Sequence, residues 1–185
     1  MPKKKASHSL KETARPEHRA KQRDSLEEHR AWLAKAAALA KKPVNKGGSP
    51  HPTVKVGAIL VDIKGCEIAS SANRFPRGVD RRRPERIKKD SRSLWINCAE
   101  QLAIADAARR GIPLKGARLY LTLEPCTICA GLTVEAGISE VFLPVGSLRR
   151  YAKLKAKWQK SIEAGLVKLA EAGVRVTTID MNGKR

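Results

Sequence analysis

Three of the four cysteines in this chain stand in two short motifs, Asn97-Cys98-Ala99-Glu100 and Glu124-Pro125-Cys126-Thr127-Ile128-Cys129. A Cys-x-x-Cys pair at a helix start points two sulfurs the same way, and thiolates suit zinc. Three thiolates leave the fourth tetrahedral position to water, the arrangement of a catalytic rather than a structural site. Glu100, two residues from Cys98, supplies a carboxylate able to reach that water without ligating the metal. Zinc lowers the pKa of bound water toward about 7, and a neighbouring carboxylate can then move its proton. A lone Cys-x-x-Cys also serves as a structural clip or a redox pair. What favours the metal is the conjunction of Cys-Ala-Glu with Pro-Cys-x-x-Cys, 27 residues lying between Cys98 and Cys126. Cys66 begins a strand and has no paired partner, so it is read as lying outside the site. The four histidines, His8, His18, His29 and His51, all precede the first core strand and read as surface residues.

Positioning these groups falls to a regular succession of elements. Asp24 or Ser25 caps a helix running to about Lys42, with Leu26, Leu33, Ala37 and Ala40 at helical spacing. Residues 43–52 are rich in breakers. Residues 53–62 and 66–73 read as a hairpin, followed by a long basic loop from Arg74 to about Ile96. Helical spacing resumes at Cys98 and ends at Gly111-Ile112-Pro113. Residues 117–123 form a strand, and Pro125 opens a helix to about Ala136. Another strand at 140–145 precedes a long helix carrying Tyr151, Leu154, Trp158, Ile162, Leu166 and Leu169 on one side, and residues 174–180 close as a strand. Strand–helix–strand–helix–strand demands right-handed crossovers and parallel strands. With the hairpin added, the expectation is an α/β domain over residues 24–182: one mixed five-stranded sheet with helices on both faces.

The paired motifs resemble those of the zinc-dependent cytidine and deoxycytidylate deaminase superfamily, Cys-Ala-Glu being a variant of its His-x-Glu signature. The likeness covers roughly residues 50–180, order of elements included, and implies a three-layer α/β/α fold. Within the superfamily, His51-Pro-Thr-Val-Lys-Val-Gly-Ala-Ile-Leu-Val-Asp62 and Ala72-Asn-Arg-Phe-Pro-Arg-Gly-Val79 are most similar to dCMP deaminases. The departures are Cys98 for the usual His, Ala72 for Tyr, Arg74 for Gly and Gln101-Leu102 for Arg-Asn. The resemblance implies that Cys98, Cys126 and Cys129 hold Zn2+ and that Glu100 is the catalytic proton shuttle. It also implies that Asn73 contacts the sugar, that Val56 and Ala58 line the base pocket and that Ala99 belongs to the substrate-binding set. The implied reaction is hydrolytic deamination at C4 of a cytosine nucleotide, dCMP to dUMP or a close relative. Arg77, held near Arg74 by Phe75-Pro76, is expected to grip the 5′-phosphate. Three thiolates leave a zinc site at −1, and backbone N–H groups at the two helix starts are expected to offset that charge.

Composition narrows the remaining choices. The chain has 185 residues, and 38 Lys and Arg against 18 Asp and Glu leave a formal charge of +20. Residues 1–23, read as a disordered tail, account for +6 of this, so the globular part is itself cationic. Such a surface attracts anions, either small phosphorylated ligands or nucleic acid. Arginines and lysines crowd Arg74–Arg92, and a third cationic stretch runs from Arg149 to Lys160. Aromatic residues amount to 4%, too few for a single-strand stacking platform. Apolar runs are too short for a membrane span, and the charged N-terminus has no secretory apolar region. A cytoplasmic enzyme acting on a nucleotide, homo-oligomeric by family habit, is therefore expected. A deaminase acting on a base in tRNA or single-stranded DNA is the alternative. A catalytically idle nucleic-acid-binding module with structural zinc is a third, opposed by Glu100, for which a structural site has no use.

Overall fold

The computed structural model describes residues 16–89, 91–151 and 154–183. Residues 1–15 of the expected tail lie outside these. The first helix, α1 (Pro16–Lys41), begins eight residues before Asp24. Pro16 opens it, where a missing N–H costs nothing, and the run to Arg23 has neither glycine nor a second proline to stop it.

Among the described residues, β1 (Gly57–Val61), β2 (Glu67–Ala72), β3 (Arg118–Leu121), β4 (Glu140–Pro144) and β5 (Arg175–Ile179) form one sheet in the order β2-β1-β3-β4-β5. β1 runs antiparallel to both β2 and β3, Ala58 facing Ser71 on one side and Leu121 on the other. β3, β4 and β5 are mutually parallel. The mixed five-stranded sheet read from the sequence is thus the sheet observed.

Helices cover both faces, which is why β1 is buried at all five positions instead of alternating. On one side α1 packs Leu33 and Ala36 against Ile59, Val61, Tyr120, Phe142 and Ile179. On the other lie α3 (Ala99–Arg109), α4 (Thr127–Glu135) and α5 (Ala156–Glu171), whose Ala99, Ala103, Ala107, Ala130 and Leu169 meet Ala58, Leu60, Leu119, Leu121, Val141 and Leu143. α1 crosses β1 so closely that a Cβ on Gly57 would lie 2.0 Å from the Ala36 carbonyl oxygen. Any residue but glycine would push that layer off.

Two elements differ from their sequence reading. Ladder pairing in β1 starts only at Gly57, because the preceding N–H groups bond to side chains: Val54 to His51 Nδ1 (2.8 Å) and Val56 to Asn73 Oδ1 (2.9 Å). The last long helix starts at Ala156. Tyr151 instead ends a 3₁₀ turn (Leu148–Tyr151), and Lys155 at φ −58°, ψ 144° breaks the path before α5. The basic loop also has local order, with a 3₁₀ turn at Pro84–Ile87 and the short α2 (Arg92–Trp95).

Candidate metal centre

Cys98 and Cys126 are the N-cap residues of α3 and α4, both extended (φ −63°, ψ 152° and φ −68°, ψ 167°), and Cys129 lies in the first turn of α4. Both motifs therefore sit at helix starts, where N–H groups have no partner of their own and favour negative charge. The small buried faces Ala99-Ala103-Ala107 and Ala130 let the two helices approach one another. The result is a cluster in which the sulfurs of Cys98, Cys126 and Cys129 all lie within 4.8 Å of one another. Cys126 Sγ and Cys129 Sγ are 3.5 Å apart. Tetrahedral thiolates at about 2.3 Å from zinc stand about 3.8 Å from each other, so the donor set fits that metal. Cys66 is exposed and outside the cluster.

Hydrogen bonds from the Cys129 and Cys98 thiols hold Cys126 down to about 2, and the Cys129 and Ile128 N–H groups of the α4 start add to that pull. The same sharing pushes Cys129 and Cys98 above the ordinary thiol range. Glu100 is buried, 3% exposed, and desolvation pushes its carboxyl up to about 7, with the Cys126 charge adding to the rise and the Cys129 thiol partly countering it. Gln101 accepts the Cys98 N–H on Oε1 at 3.1 Å and so closes the start of α3.

Asn73 is buried and built into the same wall. Its Oδ1 accepts the Val56 N–H, its Nδ2 donates to the Val54 carbonyl (3.0 Å), and its own N–H donates to the Val56 carbonyl (3.0 Å). The next residue, Arg74, pairs in antiparallel fashion with Asn97, which precedes Cys98. Asn73 and Val56 are thereby tied to the segment that leads into Cys98.

The remaining substrate residues are placed otherwise. Ala58 and Ala99 are fully buried and pack in the apolar layer between the sheet and α3, Ala99 lying between Cys98 and Glu100. Arg77 is 73% exposed and faces Asp106 of α3 at 3.7 Å. With Arg74 and Arg81 it borders a cavity of about 390 Å³ between the end of α1, β2 and the arginine arm, lined by none of the thiols nor Glu100.

Residues not picked out from the sequence also shape the site. His51 is half-buried, not a surface residue. Its Nδ1 accepts the N–H groups of Thr53 (3.2 Å) and Val54 (2.8 Å), and burial, helped by the Arg92 charge, lowers its pKa to about 4. Away from the site, on the α1 face of the sheet, His29 is likewise half-buried, with Nδ1 2.9 Å from the Tyr120 hydroxyl and its ring stacked on Phe142. Thr122 Oγ1 accepts the Gly57 N–H at 3.0 Å. Glu124 bonds Ser147 through Oε1, while its buried Oε2 has no partner among the described residues. The local signal for His51 was its place before Pro52 and an extended run, where a side-chain acceptor caps a turn.

Residues 27–144, which contain the three thiols, Glu100, Asn73 and Arg77, match the family described as the cytidine and deoxycytidylate deaminase zinc-binding region. A probable deoxycytidylate deaminase of Drosophila melanogaster is 37% identical over 103 residues, 50% of each chain. The tRNA-specific adenosine deaminase of Bacillus subtilis is 33% identical over 112 residues, 60% of this chain and 57% of that one. The chain spans about half the length of the curated relatives it matches. The crystal structure of the cyanophage S-TIM5 dCMP deaminase in complex with dCMP and dUMP superposes with a TM-score of 0.60 over 90% of this chain and 100% of that one, at 22% identity. The fold is shared, as the sequence resemblance implied.

Proposed function

We propose a reaction for this chain, which belongs to the cytidine and deoxycytidylate deaminase zinc-binding family: hydrolysis of the 4-amino group of a cytosine nucleotide, dCMP to dUMP or a close relative. Water and the amino-pyrimidine give the C4 carbonyl and ammonia, so one C–N bond breaks and one C–O bond forms. The observation that carries this is a buried carboxyl beside three clustered thiols.

Cys98, Cys126 and Cys129 would hold zinc, which when bound supplies a water acidified toward about 7. Glu100 takes a proton from water, places one on N3 of the ring and delivers one to the departing 4-amino nitrogen. Its burial keeps bulk water from short-circuiting that transfer. Asn73, with its ties to Val54 and Val56, presents the edge of the pocket to the sugar, and Arg77 turns from Asp106 to the 5′-phosphate. By the same reading the enzyme works in the cytoplasm as a homo-oligomer. No helix among the described residues is long and apolar enough to cross a membrane.

A second substrate class is favoured by one observation. The arm carries exposed Arg81, Arg82, Arg83, Lys88 and Lys89, more cations than a single phosphate needs. A base within tRNA or single-stranded DNA would use them as a backbone track.

Metal analysis of purified protein, followed by ammonia release from dCMP, CMP, deoxycytidine, cytidine and tRNA, tests both. One zinc per chain is expected, unchanged in Cys66→Ser, with dCMP the preferred substrate. Deamination of tRNA alone, falling steeply with salt, would transfer the conclusion to the polymer. Absence of zinc would end both.

A further inference from the structure

Each sulfur of the cluster is fixed by a different device. Cys129 lies inside α4, within its hydrogen-bond ladder, and its carbonyl also accepts the Thr133 hydroxyl at 2.9 Å. Cys98 is held by the Gln101 side chain on its N–H. Cys126 has no such side-chain support, although its carbonyl accepts the Ala130 N–H at 2.8 Å. It is an extended N-cap residue, outside the helical φ/ψ range of the α4 it begins, and it follows a proline that has no N–H to anchor it.

What meets this segment is α5. Ser161 Oγ accepts the Thr127 N–H at 3.2 Å, satisfying one of the first-turn donors that α4 cannot pair itself. One turn on, Gly165 lies against the ligand backbone. A Cβ there would stand 2.6 Å from the Pro125 carbonyl oxygen, closer than a side chain tolerates, and 3.1 Å from the Cys126 carbonyl carbon. Lys168 Nζ then donates to the Thr127 carbonyl at 3.3 Å. Positions 161, 165 and 168 share one helical face. α5 is in turn anchored by Ile162 and Leu169, both buried, so the contact has a rigid backing. Glycine inside a helix is unfavourable by about 1 kcal/mol against alanine, and here the close approach gives it a use.

We propose that α5 is the positioning element of the metal centre: Ser161 and Gly165 seat the Pro125–Thr127 turn and thereby set where the Cys126 sulfur stands relative to Cys98 and Cys129. Neither residue touches metal or substrate. Both act through Cys126, and the proposal rests on the reading of the cluster as a zinc site. Outer groups that orient ligands in this way typically govern metal affinity by 10–100-fold.

The test is the rate at which zinc passes from the loaded protein to a chromophoric chelator, measured for the wild type, Ser161→Ala, Ser161→Thr and Gly165→Ala, with thermal unfolding of the metal-free forms alongside. Ser161→Ala is expected to release zinc about 10-fold faster, and Gly165→Ala faster still. Ser161→Thr, which keeps the hydroxyl, should restore the wild-type rate. The metal-free melting temperature of Ser161→Ala should stay within a few degrees of wild type, and its KM for dCMP should be unchanged. Unaltered release in Ser161→Ala overturns the proposal, as does failure of Ser161→Thr to restore it. So does faster release matched by an equal loss of metal-free stability. Should Gly165→Ala not fold, the two Ser161 variants still decide. A wild type that takes up no zinc removes the metal reading itself and this proposal with it, whereas a zinc-loaded wild type with indifferent variants removes only the role of α5.

Discussion

The metal centre and the arginine arm share a boundary at the Arg74–Asn97 pair and are built on opposite lines. Around the thiols, short side chains on two helix starts and one strand end are buried and tied to backbone groups. Along residues 77–89, long cationic side chains are exposed and answer to scattered carboxylates: Arg82 and Arg83 to Asp80, Arg77 to Asp106. Exposed pairs of this kind contribute little to stability and exchange partners readily. Among the described cations of residues 77–89, Arg86 alone is stacked over a ring, that of Trp95 at 4.1 Å. Proton transfer needs groups held to a fraction of an ångström, which backbone supplies. Capture of an anion needs charge and reach, which long side chains supply without a fixed pose. Damage to the first region should therefore appear in turnover, and damage to the second in apparent affinity.

The largest effect should come from Glu100→Gln. The amide keeps the volume and the buried position but can no longer shuttle a proton. kcat should fall by at least the 10²–10⁴-fold usual for a general acid–base group, since this one acts in more than one step. Zinc content by metal analysis and the unfolding transition should match wild type. Turnover near wild type would dismiss Glu100 from the chemistry and leave the buried carboxyl without a function.

Arg77→Ala tests the other region. Its bridge to Asp106 is long and exposed, so the fold loses little, and the change should appear as a 10–100-fold higher KM for dCMP. That corresponds to roughly 1.5–3 kcal/mol for a charged hydrogen bond. Deoxycytidine, which lacks the phosphate, should be processed as before. Equal harm to both substrates would make Arg77 a support of the loop. Harm to neither, together with salt-sensitive deamination of tRNA, would make the whole arm a track for a polynucleotide.

How far the sequence could be read follows the same division. The thiol cluster was legible because capping is local: Pro125, Cys126 and Cys129 lie within five residues, and their mutual geometry follows once a helix begins there. The parallel run of β3, β4 and β5 followed from the alternation of strands and helices. Contacts between distant segments left no local trace. Nothing in Ser161 or Gly165 announces a partner at Thr127 or Pro125, and the apolar spacing through Tyr151 and Leu154 imitated a helix that Lys155 interrupts.

The smallest effect concerns His51, which joins the two regions by holding residues 53–54 under the Asn73 wall while facing Arg92. Its acceptor role requires the neutral ring, and burial, then the Arg92 charge, lower its pKa from 6.5 to about 4. Between those values the unfolded chain binds the proton that the folded protein refuses, so stability rises with pH across that window. The contribution is complete above 6.5, is lost progressively as pH falls from 6.5 to 4, and is gone below. A shift of that size would amount to about 3 kcal/mol if fully expressed. In a half-exposed ring, solvent screening leaves roughly 1 kcal/mol, some 2–4 °C in Tm for a chain of this length. His51→Asn, whose Oδ1 can accept the same N–H groups without titrating, should flatten the Tm-against-pH curve by that amount between pH 6.5 and 4. His29, also lowered by burial, is present in both proteins, so the difference between the two curves belongs to His51. Parallel curves would show that position 51 contributes shape alone, and that the wall beside the metal centre is insensitive to mild acid.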